Sequence, residues 1–337
     1  MRLPVLALLS FAWMHSQAVP WSKLAEVPAH TEPARASATS KVIVVTIDGT
    51  RWQDVIGAGE SLPTLTRWST TDGAVVGADA ERPMQASGPN FVSLPGYTEI
   101  FAGRRSLCTT NNCARTVQRT IVDDLPEGTS FAVVSSWGRI ALAARATERE
   151  GFVSCGRTDR TPGAPTSIEA LAKKLEDGGP GPGEGDYRPD AGTAELALEV
   201  LRTARPTFAF IGFGDTDEHA HHGDHAAYLG ALRAADATLA SIEKVLRETG
   251  DDAVTTVLVT ADHGRASDFR DHGGGYPESQ RVWLVAHGAG IEARGAVASP
   301  TRRRLADVSP TVRALLRMQP LGGEAPGHLL DELGLRL

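Results

Sequence analysis

Cysteine is scarce in this 337-residue chain: Cys108, Cys113 and Cys155 are its three. Three scattered thiols make a weak case for a zinc–thiolate site. In an oxidising compartment Cys108 and Cys113 are spaced to close a short loop, with Cys155 as the odd third. A basic excess is also missing, since 34 Lys and Arg stand against 41 Asp and Glu, for a net charge of −7. Without a basic run the chain is a poor candidate for gripping a nucleic-acid backbone, and no nucleic-acid-binding surface is expected. A small phosphorylated substrate stays open, because metal ions supply positive charge locally. Internal repeats are missing too. With 41% hydrophobic and 22% charged residues, the composition excludes wholesale disorder, a collagen-like repeat and a bundle of membrane helices.

The apolar run from Leu3 to Trp13 is broken by Pro4 and Ser10 and falls short of the roughly 20 residues that a membrane span needs. Arg2 precedes it, and the small-x-small pattern Ser16-Gln17-Ala18 follows. The segment is expected to be a secretory signal peptide, residues 1–18, cut after Ala18. No cysteine stands near that point to take a lipid. Residues 19–40, rich in Ala, Pro and Ser, are expected to be a linker, and 41–337 a single domain. The mature protein is then exported, periplasmic or secreted, with no membrane span.

Lys41–Ile47 is a β-branched apolar run without alternation, as in a strand buried on both faces. Phe131–Trp137, Phe208–Phe213, Val254–Thr260 and Val282–Ala286 repeat the pattern. Helical patterns intervene at Leu62–Trp68, Tyr97–Phe101, Ile168–Leu175, Ala191–Leu201, Ala226–Leu246 and Leu305–Leu316. The alternation predicts a layered α/β/α fold with a mainly parallel central sheet. The Gly/Pro-rich stretch Asp177–Arg188 is expected to be a surface loop or flexible insert. It is no phosphate cradle, because no strand leads into it and no helix opening with Lys-Ser/Thr follows.

In parallel α/β sheets ligands sit at the carboxyl ends of strands, so the residues after each strand matter most. Asp48 follows the first strand, Asp215 to His222 follow Phe213, and Asp262-His263 follow Thr260 and Ala261, with Asp271-His272 on the next loop. Four of the ten histidines fall between His219 and His225. Carboxylates and imidazoles without thiolates suit zinc or a similar divalent ion. Taken singly, an Asp after a strand is a cap or turn residue and a His is a surface group; the coincidence points to a metal site. Ser93 stands before Pro95 at an apparent helix start, where it is either an N-cap or a nucleophile at the positive end of the helix.

These residues resemble the alkaline phosphatase superfamily, most closely its nucleotide pyrophosphatase/phosphodiesterase branch, from about Val42 to His272. Thr46-Ile47-Asp48-Gly49 matches a strand ending in Asp. Ser93-Leu94-Pro95-Gly96-Tyr97-Thr98-Glu99-Ile100-Phe101-Ala102-Gly103 is similar to the branch's nucleophile motif, with Ser for Thr, Gly96 for Asn and Tyr97 for His. Asp217-Glu218-His219-Ala220-His221 and Ala261-Asp262-His263-Gly264-Arg265 are similar to its two metal-binding motifs, and His272 to its last metal-binding histidine.

The resemblance implies two divalent ions, zinc with manganese as the alternative. Asp217, His221 and His272 would hold one. Asp48, Asp262 and His263 would hold the other, with Ser93 as a further ligand. Asp215 and His219 repeat the spacing of Asp217 and His221; the later pair suits the distance from Phe213 better. The family's oxyanion-binding Asn is matched by Asn111, in preference to Asn112. The implied activity is phosphodiester or phosphomonoester hydrolysis through a phospho-serine, with Asn111 and the helix start offsetting charge on the phosphoryl oxygens. The alternatives are a sulfatase or phosphonate hydrolase on the same scaffold, and a catalytically silent metal-stabilised binding protein. Tyr97 stands where the sulfatase pattern has Arg, which argues against sulfate chemistry. The expected partner is a small phosphorylated substrate, and oligomeric state is not readable. Arg51, Arg104 and Arg105 are expected to be solvated surface charges.

Overall fold

Five buried parallel strands carry the molecule. The computed structural model describes residues 39–161, 163–179 and 181–337, all within one compact unit. The expected signal peptide and nearly all of the expected linker lie outside the described residues. In chain order the strands are β1 (Lys41–Ile47), β2 (Gly73–Val76), β3 (Met84–Gln85), β4 (Phe131–Ser135), β5 (Phe152–Cys155), β6 (Asp159–Arg160), β7 (Phe208–Phe213), β8 (Thr255–Thr260), β9 (Arg281–Val282), β10 (Leu284–Gly288) and β11 (Gly295–Ala296). The helices are α1 (Trp52–Val55), α2 (Pro63–Thr70), α3 (Ser93–Ala102), α4 (Ile121–Asp124), α5 (Ile140–Ala144), α6 (Thr166–Glu176), α7 (Asp190–Thr203), α8 (Asp215–His221), α9 (His225–Thr249) and α10 (Val308–Leu315).

The main sheet has nine strands in the order β11-β2-β10-β8-β1-β7-β4-β5-β6. From β8 to β5 every neighbour is parallel, while β10 and β6 join antiparallel. β3 and β9 form a separate antiparallel pair. β7 and β8 are buried at every position, and β1 at all but Lys41. Both faces of the sheet are therefore covered, as continuous apolar runs demand. Helices α2, α7 and α9 pack together with α6 and α8, and α3 packs with α4, α5 and α10. This is the layered α/β/α arrangement that the strand–helix alternation predicts.

The structure adds elements that the sequence pattern does not show. β2 and β5 are four-residue strands, too short to display a pattern. Asp215–His221, which lies outside the helical patterns read from the sequence, is itself the helix α8. Among its described residues the Asp177–Arg188 stretch has no helix or strand, and its end is no free insert. Tyr187 and Arg188 are buried, and Arg188 donates to the Ser135 and Ser154 carbonyls at 2.9 and 3.0 Å. Asp186 accepts from the backbone N–H groups of Arg157 and Thr158, closing the stretch onto the end of β5.

β8, β1 and β7 lie side by side, with Thr46 level with Thr260 and Ile47 level with Phe213. Their carboxyl ends open onto one edge of the sheet, and the backbone N–H of Asp48 donates to Phe213 across it at 3.0 Å.

Candidate metal centre

Asp48, Asp217 and Asp262 come from three segments far apart in sequence and converge at that edge. Asp48 and Asp262 are buried in the turns after β1 and β8. Asp217 and His221 sit four residues apart on α8, hence on one face of the helix. His272 lies on the loop after β8, held by its Nδ1 2.9 Å from the Phe91 carbonyl.

The potential ligand atoms fall into two groups, Asp48/Asp262/His263 and Asp217/His221/His272, each with its atoms within 4.8 Å of one another. In the first, His263 Nε2 lies 3.4 Å from Asp48 Oδ1 and 3.4 Å from Asp262 Oδ2. In the second, His221 Nε2 lies 3.0 Å from Asp217 Oδ2 and 3.1 Å from His272 Nε2. The groups adjoin: the His263 and His272 rings stack with centroids 4.0 Å apart, and His263 Nε2 is 3.9 Å from Asp217 Oδ1. Ser93 Oγ is 3.3 Å from His263 Nε2. The structure thus brings together all seven residues that the sequence suggests as ligands. The competing pair goes elsewhere: Asp215 accepts from Tyr187 Oη at 2.7 Å and from the Asp190 backbone at 3.2 Å.

Two observations test whether these residues fit a cation. Asp48 Oδ1 and Asp262 Oδ2 are buried without any hydrogen-bond partner. Burial pushes the Asp262 carboxyl up to about 7, and burial together with the Asp262 charge pushes Asp48 well above the usual carboxylate range. Burial also holds His263 and His272 below the usual histidine range, which leaves imidazole nitrogens with lone pairs to offer. Two buried carboxylates with orphan oxygens beside neutral imidazoles are a donor set that a divalent cation satisfies.

Supporting contacts fix the ligands. Gly49 N–H donates to Asp262 Oδ1 at 3.1 Å, Tyr97 Oη to Asp48 Oδ2 at 2.8 Å and Thr216 Oγ1 to the Asp48 carbonyl at 2.6 Å. Ser93 is the first residue of α3; Val92 holds the cap position, so Ser93 does not serve as the N-cap. Asn111, inside the loop closed by the Cys108–Cys113 disulfide, accepts from the Leu94 N–H through Oδ1 at 2.9 Å. That bond leaves the Asn111 amide nitrogen as its outward donor. The helix start itself has little left to give, because the Leu94 N–H is taken, Pro95 has none and the Gly96 N–H bonds to Val92. Asn112 is exposed.

Sequence reasoning misses Arg265. Its guanidinium is buried against Asp217, donating to both Oδ1 and the backbone carbonyl. Nothing local marks it, since arginine is ordinarily exposed; its place directly after Asp262-His263-Gly264 is the one available signal. Arg51 is no solvated charge either, as it pairs with Asp54 at 2.6 Å and reaches the Ser267 carbonyl at 3.1 Å.

The sequence model of the Metalloenzyme superfamily matches residues 186–320, which include five of the six Asp and His ligand candidates. The fold is similar to that of the wild-type alkaline phosphatase PafA, with a TM-score of 0.64 at 13% identity, covering 89% of this chain and 100% of that one. The chain has an alkaline-phosphatase-like fold. Its fold is also similar to the phosphonate monoester hydrolase SpPMH from Silicibacter pomeroyi, with a TM-score of 0.60 at 14% identity, covering 89% and 78% of the two chains. Among curated proteins it is 30% identical over 135 residues to a 2,3-bisphosphoglycerate-independent phosphoglycerate mutase from Salinibacter ruber, covering 39% of this chain and 24% of the mutase. Over 95 residues it is 36% identical to GPI ethanolamine phosphate transferase 1 from Yarrowia lipolytica, 28% of this chain and 10% of the transferase. The chain thus spans a quarter or less of the length of these two curated relatives. Solved proteins of similar fold include a phosphatase, a phosphonate monoester hydrolase and a sulfatase, and these likenesses stop short of a branch.

Proposed function

We propose that this chain is an exported metal-dependent phosphoesterase that passes a phosphoryl group to Ser93 and then to water. The observation that carries the reading is the buried Ser93 hydroxyl, at the first residue of α3 and 3.3 Å from His263, beside two Asp/His groups. Asp48, Asp262, His263 and Ser93 would hold one divalent ion, and Asp217, His221 and His272 the other. When bound, such ions supply Lewis-acid charge that acidifies the serine and neutralises the leaving oxygen. Zinc suits the mixed carboxylate–imidazole set, with manganese as the alternative.

Ser93 Oγ gives up its proton and attacks phosphorus opposite the ester oxygen. The bond from phosphorus to that oxygen breaks, the alcohol leaves with the electron pair and takes up a proton, and phospho-serine remains. Water then attacks phosphorus, the bond to Ser93 Oγ breaks, and the serine regains its proton. Asn111, held by its oxygen on the Leu94 N–H, has its amide nitrogen to donate to a nonbridging phosphoryl oxygen.

Ser93→Ala is expected to keep its metal, measured by elemental analysis, and to lose at least roughly a thousandfold in turnover of an aryl phosphate. Full turnover in that variant overturns the nucleophile assignment. Matched aryl phosphate monoester, diester and sulfate decide among the enzyme readings. The motif Ser93–Gly103 favours the diester, and Tyr97, in place of the sulfatase Arg, disfavours the sulfate. Metal without turnover on all three would leave a metal-stabilised binding protein. Export rests on residues 1–18, and N-terminal sequencing of the mature protein tests it, with cleavage after Ala18 expected.

A further inference from the structure

Beside the metal centre lies a second space, a cleft of about 430 Å³. Arg51 and Trp52 enter it from the turn after β1, and Arg265 from the turn after β8. Gln85 and Arg281 line it as opposed partners of the β3–β9 pair. Two of these segments thus leave the same strand ends that carry Asp48 and Asp262. Arg265 is the shared wall, touching Asp217 with its guanidinium while lining the cleft.

The cationic charge of the cleft is unevenly answered. Arg51 is committed to Asp54 through contacts of 2.6 and 3.0 Å, and Arg265 to Asp217. Arg281 has no carboxylate partner among the described ion pairs. It lies over the Trp52 ring, 3.5 Å from the centroid, and reaches the Gly77 carbonyl at 3.4 Å. The Nε atoms of Arg265 and Arg281 are both buried without a hydrogen-bond partner. Of the acidic groups nearby, Glu278 lines the cleft from an exposed position, and Asp79 acts on Arg281 from outside the lining. Burial also holds the Arg281 guanidinium below the usual arginine range. A buried donor without an acceptor is costly, and a guanidinium fork suits carboxylate or phosphate.

We infer that this cleft is a subsite for a second anionic group, carboxylate or phosphate, carried on the alcohol part of the ester. The inference rests on the phosphoesterase reading. The test compares, on the metal-loaded full-length protein, phosphate release from 3-hydroxypropyl phosphate and from propane-1,3-diyl bisphosphate. The bisphosphate is expected to be preferred about tenfold or more in kcat/KM, the size of a charged hydrogen bond gained. Arg281→Gln should bring that ratio towards one, chiefly through KM, and Arg281→Lys should keep part of it. Equal wild-type use of the two esters, or a preference that survives Arg281→Gln, overturns the inference.

A second readout does not depend on turnover. Sulfate titrated into the same protein should change tryptophan fluorescence saturably, and Arg281→Gln and Trp52→Phe should each abolish the change. Arg281-dependent sulfate binding without any ester preference would make the cleft a site for a free anion and overturn the substrate assignment. No hydrolysis of either ester or of an aryl phosphate diester, with that sulfate binding retained, would instead strike down the phosphoesterase reading and leave an anion pocket.

Discussion

A Cβ added at Gly96 would lie 2.2 Å from the Asp262 carbonyl oxygen. The nucleophile helix therefore approaches the end of β8 backbone to backbone, which explains glycine where the resembling motif has asparagine. At Gly49, φ is +59° and a Cβ would meet Asp217 Oδ1 at 2.3 Å, so both conformation and space require glycine. Glu99, on the same helix, is buried and accepts from the Ser87 N–H and hydroxyl at 2.9 and 2.5 Å and from the Ala306 N–H at 3.1 Å. Burial outweighs these bonds and raises its pKa from 4.5 to about 7. The folded state thus holds this proton more tightly than the unfolded chain does. Its contribution to stability is full below the unfolded value of 4.5 and is lost as pH rises through about 7. Relative to Glu99→Gln, the wild type should lose roughly 3 kcal/mol of unfolding free energy across that window. Urea titrations of both proteins at stepped pH measure it, and a pH-independent difference would contradict the assignment.

Among the elements, the loop closed by Cys108 and Cys113 has a task beyond covalent closure. Asn111 lies within it and bonds to the first turn of α3 at Leu94, and Asn90 Nδ2 ties the loop down by donating to the Thr109 carbonyl at 2.9 Å. Replacing both cysteines by serine should lower stability by about 2 kcal/mol, the chain-entropy estimate for so short a loop. Freeing Asn111 should lower kcat more than KM, because a loosened donor weakens the transition state more than substrate binding. The loss should fall between wild type and Asn111→Ala. A double variant with unchanged kcat would show that the disulfide does not position the amide.

For the whole molecule, the order β8-β1-β7 decides that Asp262, Asp48 and Asp217 meet. Two buried carboxylates with orphan oxygens make a centre that is unfavourable until a cation arrives. Metal should therefore stabilise the fold. At a hundredfold excess over Kd the gain is about 2.7 kcal/mol per site, or a Tm rise of several degrees. Thermal melts with EDTA and with added zinc test this. A Tm indifferent to both would rule out a centre formed by these residues.

The amino-acid sequence alone determined the layered fold, because strands buried on both faces must be continuous apolar runs and amphipathic helices must repeat every 3.6 residues. It also supplied the ligand candidates, since carboxylates and imidazoles just past strand ends are visible one residue at a time. Only the tertiary structure decided which of them face one another. Asp215–His219 and Asp217–His221 have the same spacing, but two positions along a helix turn a side chain by roughly 200°. The earlier aspartate is thereby directed to Tyr187 and Asp190, and the later pair to His272. The burial of Arg265 and the cleft that it shares with Arg281 were likewise invisible in the sequence. Arginine is ordinarily a surface residue, and its partners here come from turns and strands that meet only when the chain has folded.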